Sequence, residues 1–223
     1  MTVLTNGAWS ADLDQIDLAG DDSLAGGAGG DTLAGYAGND VIFGGAGGDQ
    51  INGNQGSDTC DGGEGGDVVH GGKDTDVLSG GADNDLVLGD LGNDTLNGNR
   101  GADMVDGGDG DDVVRGGQGE DSLLGGVGRD HLYGDLGSDT LAGGAGADVF
   151  HVQLEDGRDV ISDFHDAEGD RITVDADVDV RAEQLNDDVR ITLIYGTVGT
   201  PFITEILVKN VNLASLSEGW IGH

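Results

Sequence analysis

The sequence predicts an all-β fold, a right-handed parallel β-roll, or β-solenoid, closed at its C-terminal end by a β cap. Three observations predict it. From Gly26 to His151 the chain repeats a nine-residue unit, Gly-x-x-Gly-x-Asp-x-apolar-x, fourteen times without an insertion. The first position is always glycine and the sixth always aspartate, and the eighth is always apolar, from Leu33 to Phe150. Because so short a unit cannot bury its one apolar side chain alone, successive copies must stack.

Each repeat predicts one short strand and one turn. The three residues around the apolar position, Thr32-Leu33-Ala34 in the first repeat, suit a very short strand with side chains alternating in and out. The other six residues suit a turn, and the first two glycines predict positive φ. At the second position glycine is replaced by residues that mostly tolerate positive φ, with Tyr36 as the bulky exception: Asn54, Asp90, Asn99 and Asp135. Two strands and two turns make a coil of eighteen residues, so alternate repeats lie on opposite sides of a flattened roll.

The aspartates of the sixth position form two predicted columns. Along one edge lie Asp31, Asp49, Asp67, Asp85, Asp103, Asp121 and Asp139. Along the other lie Asp40, Asp58, Asp76, Asp94, Asp112, Asp130 and Asp148. Neighbouring strands are about 4.8 Å apart, so the stacked carboxylates would repel one another without a cation. Carboxylates and backbone carbonyls are the ligands of calcium, whereas magnesium prefers a smaller octahedron and retains its waters.

Each calcium site is expected to use the aspartates of repeats n and n+2 with carbonyls of the glycine-rich turns. Fourteen repeats contain twelve such pairs, and a degenerate copy, Asp17 to Ala25, adds one more through Asp22 and Asp40. The formal charge is −35, from 44 acidic and 9 basic side chains. About 12 calcium ions would bring it to about −11 (−35 + 24), an ordinary value for a soluble domain. Without metal, a chain with this charge and 46 glycines resembles a disordered segment, so folding is expected to depend on calcium.

The repeats resemble those of the repeats-in-toxin (RTX) family, whose nonapeptide is Gly-Gly-x-Gly-x-Asp-x-apolar-x. Gly44 to Asn52 (GGAGGDQIN) and Gly107 to Arg115 (GGDGDDVVR) match it closely. The resemblance implies a parallel β-roll with calcium in the turns and export by a type I secretion system. Asp74 and Asp83 depart from the family pattern by replacing the fourth-position glycine in consecutive repeats. Two interpretations are open, that they weaken the neighbouring sites or that they add a ligand.

The outward positions of the roll indicate a scaffold more than a regular recognition face. On one face the ninth position reads Phe43, Asp61, Ser79, Asn97, Arg115, Tyr133 and His151. An ice-binding solenoid would need nearly identical ranks of threonine or asparagine. Polysaccharide binding would favour aromatic and basic residues along a groove, and Phe43, Arg115 and Tyr133 share this face but are expected to be far apart. Both functions remain alternatives.

The repeat register stops after His151, which divides the chain into a lead-in (residues 1–16), the roll (17–151) and a capping and secretion-signal region (152–223). Asp159 to Phe164 and Gly169 to Ile172 are similar to the closing segment of serralysin C-terminal domains and alginate epimerase R-modules. Residues 189–194 and 202–208 predict a hairpin around Gly196 to Pro201 that covers the open end of the solenoid. Residues 218–221 resemble a type I secretion signal, but Gly222-His223 departs from the usual fully apolar ending of such signals.

Sequence motifs give no support for an enzyme. No His-Glu-x-x-His is formed by His70, His131, His151, His165 or His223, and no Gly-x-Ser-x-Gly or phosphate loop occurs. Negative charge along both edges argues against nucleic acid as a partner, so none is expected. Cys60 occupies the apolar column and is expected to be a core filler.

The expected location is extracellular. Residues 1–9 lack a basic start and an apolar run, so no cleavable signal peptide is expected, and no stretch is long enough to span a membrane. This agrees with C-terminal export of an unfolded chain, since extracellular calcium modules bind at about 10⁻⁴ to 10⁻³ M. The sequence therefore predicts a secreted calcium-binding protein that folds outside the cell as a structural or surface-interaction scaffold. The alternatives are a calcium-dependent module for an alginate-like polysaccharide and, third, an ice-binding solenoid.

Overall fold

The computed structural model of the protein describes residues 3–5, 19–153, 157–174, 178–195, 202–216 and 219–222. Asp17, most of the predicted lead-in, the predicted turn from Gly196 to Pro201, Glu218 and His223 lie outside the described residues. The strands are β1 (Val3–Thr5), β2 (Ser23–Ala28), β3 (Thr32–Ala37), β4 (Val41–Ala46), β5 (Gln50–Gln55), β6 (Thr59–Glu64), β7 (Val68–Lys73), β8 (Val77–Ala82), β9 (Leu86–Leu91), β10 (Thr95–Arg100), β11 (Met104–Asp109), β12 (Val113–Gly119), β13 (Ser122–Val127), β14 (His131–Gly137), β15 (Thr140–Ala145), β16 (Val149–Val152), β17 (Arg158–Ile161), β18 (Arg171–Val174), β19 (Asp179–Leu185), β20 (Asp188–Tyr195), β21 (Phe202–Val208) and β22 (Ile221–Gly222). A short 3-10 helix covers Leu213–Ser215.

The strands form two sheets, as the eighteen-residue coil predicts. The first sheet has the order β1-β2-β4-β6-β8-β10-β12-β14-β16-β18-β22, and the second has the order β19-β20-β21-β17-β15-β13-β11-β9-β7-β5-β3. Within the repeats each strand pairs in parallel with the strand two further along the chain. Leu96, for example, pairs with Leu78 on one side and Val114 on the other. The parallel roll is therefore confirmed.

The core between the sheets is built from the apolar column of the repeats. All fourteen members are buried: Leu33, Ile42, Ile51, Cys60, Val69, Leu78, Val87, Leu96, Val105, Val114, Leu123, Leu132, Leu141 and Phe150. Leu24 of the degenerate repeat extends the line at one end, and Ile161 and Ile172 extend it at the other. Cys60 is buried as a core filler, as predicted, and burial raises the pKa of its thiol.

The strands are longer than the sequence predicted. Most span six residues, because pairing continues from the seventh, eighth and ninth positions into the first three positions of the following repeat. The prediction of positive φ at both leading glycines was correct only for the second. Asn54 and Tyr36, both at the second position, have φ of 78° and 70°, and the fourth position is also positive in every repeat except that of Gly137, with Gly47 at 122°. The first-position glycines lie outside the positive-φ region, so they are required for another reason.

That reason is close packing around the sixth-position aspartate. A Cβ atom built on Gly107 would lie 2.5 Å from both Oδ2 of Asp112 and the carbonyl oxygen of Gly125, one coil further on. At Gly125 the same atom would lie 2.5 Å from Oδ2 of Asp130 and from the carbonyl oxygen of Gly143. Real Cβ atoms do not approach oxygen so closely. The first glycine is therefore present because no side chain fits beside the aspartate.

The C-terminal region covers the end of the roll. β17 and β18 continue the two sheets in parallel. β21 then pairs with β17, and β20 pairs with β21 in the antiparallel manner, which confirms the predicted hairpin strands. β19, which the sequence did not predict, adds an outer antiparallel strand. Val189, Ile191, Leu193, Ile206 and Val208 are buried and supply the apolar cover.

Candidate metal centre

Each sixth-position aspartate lies directly before a strand, at the edge of the roll, and its side chain turns inward. Asp76, Asp130 and Asp148 have no exposed surface, and Asp22 and Asp85 have 5%. Asp31, next to the N-terminal end, is half-buried. Ionised carboxylates are rarely buried to this extent unless a partner compensates their charge.

From Asp40 to Asp148, one oxygen of each column carboxylate accepts a hydrogen bond from the backbone one coil earlier. Oδ1 of Asp40 accepts a hydrogen bond of 2.8 Å from the N–H of Asp22, and Oδ1 of Asp148 accepts one of 3.0 Å from the N–H of Asp130. The same bond joins every intervening pair separated by eighteen residues. The structure therefore brings all fifteen predicted aspartates into two columns. Asp22 heads one of them, as the degenerate repeat predicts.

The second oxygen, Oδ2, has a different environment. Among the described residues it is buried and accepts no hydrogen bond in Asp31, Asp40, Asp49, Asp58, Asp67, Asp76, Asp85, Asp94, Asp103, Asp112, Asp121, Asp130 and Asp148. A buried charged oxygen without a partner costs more free energy than a neutral one, and a cation or a proton would remove that cost. As the first-position glycines show, a backbone carbonyl oxygen of the next coil lies beside Oδ2.

This set of oxygens fits a hard cation. Among the residues that the structure describes, no group of three or more His, Cys, Asp or Glu side chains could hold a metal ion. A cation at the edge would therefore need backbone carbonyls in addition to the stacked carboxylates. Carboxylate and carbonyl oxygens together are the ligands of calcium, while the absence of imidazole and thiolate from the columns disfavours zinc.

Burial also changes the proton affinity of the columns. Desolvation, with a smaller contribution from neighbouring carboxylates, raises the pKa of Asp76, Asp85 and Asp130 to about 7. For the same leading reason the pKa is raised to about 6 in Asp58, Asp94, Asp112, Asp121 and Asp148. Unless a cation compensates their charge, a substantial fraction of the first group would hold protons near pH 7 and of the second group near pH 6. Protons and metal ions therefore compete for the same oxygens.

Two further aspartates extend the columns and were missed by the sequence analysis. Oδ1 of Asp159 accepts a bond of 3.0 Å from the N–H of Asp139, and Oδ1 of Asp170 accepts one of 3.0 Å from the N–H of Asp148. Their separations are 20 and 22 residues, since loops lengthen these coils, and the strict period of nine therefore does not reach them. The available signal was the Asp-x-apolar order, which recurs at Asp159 to Ile161 and at Asp170 to Ile172.

At the C-terminal end of one column, backbone N–H groups of the protein satisfy the carboxylate oxygens. Oδ2 of Asp170 accepts a bond of 2.7 Å from the N–H of His165, so both its oxygens are used. Asp163 accepts bonds of 2.9 Å from the N–H groups of Gly143 and Gly144, the leading glycines of the last repeat. The C-terminal segment thus satisfies polar groups that a further coil would otherwise contact.

Asp74 and Asp83 adopt the backbone of the glycines that they replace, with φ of 74° and 76°. Aspartate tolerates this conformation better than most residues. Their charges contribute to the raised pKa values of the column carboxyls, Asp74 at Asp58 and Asp76 and Asp83 at Asp67 and Asp85. They therefore add negative charge beside those turns.

Comparison with known proteins identifies the repeat. The family model for the RTX calcium-binding nonapeptide repeat matches residues 17–51, 25–60, 35–69, 52–87, 61–96, 88–123 and 115–150. Taken together, these matches cover well over half of the chain. No curated protein matches the sequence.

Solved structures that match this chain include two with low TM-scores. The crystal structure of the extracellular lipase LipA from Serratia marcescens is 18% identical over 90% of this chain and 40% of the lipase, with a TM-score of 0.33. The solution structure of the AlgE6R3 subunit of the Azotobacter vinelandii mannuronan C5-epimerase is 24% identical over 67% of this chain and 78% of that subunit, with a TM-score of 0.28. The present chain thus spans less than half the length of the lipase. Within the described ranges, no helix is long and apolar enough to cross a membrane.

Proposed function

The chain belongs to the family of RTX calcium-binding nonapeptide-repeat proteins, and from this premise we propose that it is a secreted protein whose roll folds on meeting extracellular calcium and then acts as a structural or surface-interaction scaffold. The observation that carries the proposal is the double column of aspartates, in thirteen of which, Asp22 and Asp139 not counted, the buried Oδ2 atom accepts no hydrogen bond among the described residues. Such a structure is costly without a compensating cation, so calcium binding and folding are coupled.

The proposed calcium ligands are the fifteen column aspartates from Asp22 to Asp148, with carbonyl oxygens of the neighbouring turns. The proposed stoichiometry is about 12 calcium ions per chain, one for each pair of repeats n and n+2. Binding them reduces the repulsion within a chain of formal charge −35. The buried edges then become electrostatically stable parts of the core.

Export is proposed to occur by a type I secretion system, with residues 152–223 as cap and secretion region and residues 17–151 as the roll. Low cytosolic calcium keeps the chain unfolded, so that it can pass through the secretion system. The higher extracellular calcium concentration then folds it. The same equilibrium thus serves both export and stability. The proposed role is not catalytic, because metal binding accounts for the repeated carboxylate pairs.

Polysaccharide binding is less well supported by the outward face. Arg115 and Tyr133 are in contact and not far apart as predicted, because the guanidinium carbon of Arg115 lies 3.8 Å from the centre of the Tyr133 ring. The opposite face of that ring is covered by His151, with ring centres 4.0 Å apart. A sugar therefore has no free face of Tyr133 on which to stack.

The test measures folding and glycan binding together. Metal-free protein is titrated with calcium, or with magnesium as control, and followed by far-UV circular dichroism; each state is then applied to a panel of immobilised polysaccharides. We expect strand signal to appear with calcium and no glycan to bind saturably. Strand signal that is unchanged after calcium removal would contradict coupled folding. Saturable glycan binding in calcium alone would replace the scaffold role with that of a polysaccharide module.

A further inference from the structure

A polar and aromatic ladder lies on the outward face of the first sheet, near the C-terminal end of the roll. Arg115, Tyr133, His151 and Thr173 are direct cross-strand neighbours on β12, β14, β16 and β18. His131 precedes Tyr133 by two residues on β14 and therefore faces the same side. His131 directly follows the column residue Asp130, but its side chain is exposed on the outward face while that of Asp130 is buried, and calcium binding does not account for the ladder.

The ladder holds the His151 ring in one orientation. The rings of Tyr133 and His151 are parallel to within 2°, with centres 4.0 Å apart. Oγ1 of Thr173 lies 2.8 Å from Nδ1 of His151. Nε2 of the same ring lies 2.8 Å from Nδ1 of His131, whose side chain is exposed. Two imidazole nitrogens are thus brought together on a rigid sheet.

We propose that His131 and His151 form a second metal site, selective for a divalent transition-metal ion such as Ni²⁺ or Cu²⁺ and independent of the calcium columns. Metal–imidazole bonds of about 2.0 to 2.1 Å at a right angle place the two nitrogens about 2.9 Å apart. The observed 2.8 Å is a hydrogen bond between two rings inclined at 20° with centres 5.1 Å apart, so an ion that replaced the shared proton would move the nitrogens only slightly apart at a right angle and to about 3.3 Å at a tetrahedral angle. A turn of the exposed His131 ring would aim both lone pairs at one ion.

The surroundings prepare His151 as a ligand. When Nδ1–H of His151 donates to Oγ1 of Thr173, the lone pair remains on Nε2, the nitrogen that faces His131. An oxygen acceptor on the second ring nitrogen is the usual support of a metal-bound histidine. Burial, with the nearby His131 and Arg115, lowers the pKa of His151 to about 4, so the ring is neutral at neutral pH.

The donor set also explains why the site differs from the columns. Imidazole suits nickel and copper, whereas calcium prefers oxygen. No third His, Cys, Asp or Glu side chain joins this pair among the described residues, so water would complete the coordination shell. His70 provides a comparison on the second sheet, where its Nδ1 lies 3.0 Å from Oδ2 of Asp90 and no imidazole in the described part of the chain is paired with it.

The test uses the full chain in saturating calcium, so that the roll is folded and the aspartates are occupied. Ni²⁺ alone is titrated by calorimetry into wild type, His131→Asn, His151→Gln and the control His70→Gln. We expect one saturable site, an association constant at least tenfold lower in the two ladder variants, and no change in the control. The electron paramagnetic resonance spectrum of bound Cu²⁺ should show coupling to two nitrogens in wild type and fewer in His131→Asn.

Three results would overturn the proposal: no saturable Ni²⁺ binding, equal binding by wild type and His131→Asn, or loss of the site in His70→Gln. His131→Asn leaves the Tyr133–His151 stack in place, so its effect cannot be assigned to a disturbed sheet. Circular dichroism in calcium, recorded on each variant, separates failure of this site from failure of calcium-dependent folding.

Discussion

Asp112 joins two neighbouring coils through one oxygen and leaves the other available. Its Oδ1 accepts a hydrogen bond of 2.8 Å from the backbone N–H of Asp94, one coil earlier, while its buried Oδ2 accepts none among the described residues. The first oxygen helps to set the spacing between coils, and the second is free to coordinate a cation. We propose that the repetition of this relationship along both edges makes folding of the roll depend on calcium.

Removing one column carboxylate should weaken calcium-driven folding. Asp112→Asn keeps an oxygen for the Asp94 amide but removes the charge, so it should raise the calcium concentration at the folding midpoint and reduce stability by about 2 to 3 kcal/mol at saturating calcium. The control is Asp109→Asn, an exposed position on the strand just before. Calcium titrations followed by circular dichroism compare them, and equal midpoints for the two variants would contradict the assignment of Asp112.

Acid should partly replace calcium. The folded-state pKa values of Asp76, Asp85 and Asp130 are raised to about 7 from an ordinary value of 3.8. A raised pKa stabilises the folded state fully below about pH 4, and this contribution is lost as the pH rises through about 7. Calcium-stripped protein should therefore gain strand signal on acidification across this range. A strand signal that increases with pH in the absence of metal would show that the sign is wrong.

A methyl group at a first-position glycine should disrupt the edge. Gly107→Ala would force a Cβ atom to within 2.5 Å of both Asp112 Oδ2 and the Gly125 carbonyl oxygen, so the two coils must separate locally. We expect a loss of at least about 2 kcal/mol in calcium, comparable with other overpacked sites. Gly20→Ala is the matched control, because its Cβ would meet nothing within 4 Å. Denaturant unfolding should distinguish the two, and equal midpoints would refute the packing argument.

The thiol of Cys60 should report folding directly. The side chain is 1% exposed, and burial raises its pKa, so a thiol reagent such as Ellman's reagent should not reach it in the calcium-loaded roll. After calcium removal the same thiol should react at the rate of an unfolded peptide. Rapid reaction in saturating calcium would mean that the core opens without losing metal.

Asp170 should secure the end of its column. Asp170→Ala leaves the N–H groups of Asp148 and His165 without their acceptor, at about 1 to 3 kcal/mol for each group that stays buried. Hydrogen exchange of these two amides in calcium should be faster in the variant. Asp179→Ala, an exposed position on the outer strand β19, should leave both amides protected. Unchanged exchange in Asp170→Ala would show that the cap does not depend on this carboxylate.

The repeat by itself determined most of the fold and the candidate calcium sites. A strict period of nine with one apolar position allows only stacked coils, and stacking in steps of eighteen necessarily brings Asp94 near Asp112. The same repeat period placed Cys60 in the core, and it placed Arg115, Tyr133 and His151 in one column on the outward face. These conclusions need no side-chain geometry, because each follows from register alone.

Only the tertiary structure decided what depends on contacts between coils. It showed that the first-position glycine is required by the neighbouring carboxylate and carbonyl and not by positive φ, since the carboxylate lies five residues away and the carbonyl eighteen residues away, in the next coil. It placed Asp159 and Asp170 in the columns despite separations of 20 and 22 residues, because loops change the sequence period while hydrogen bonding preserves the coil. It also brought His131 to His151, a diagonal pairing between strands that depends on side-chain rotamers and that a repeat pattern does not encode.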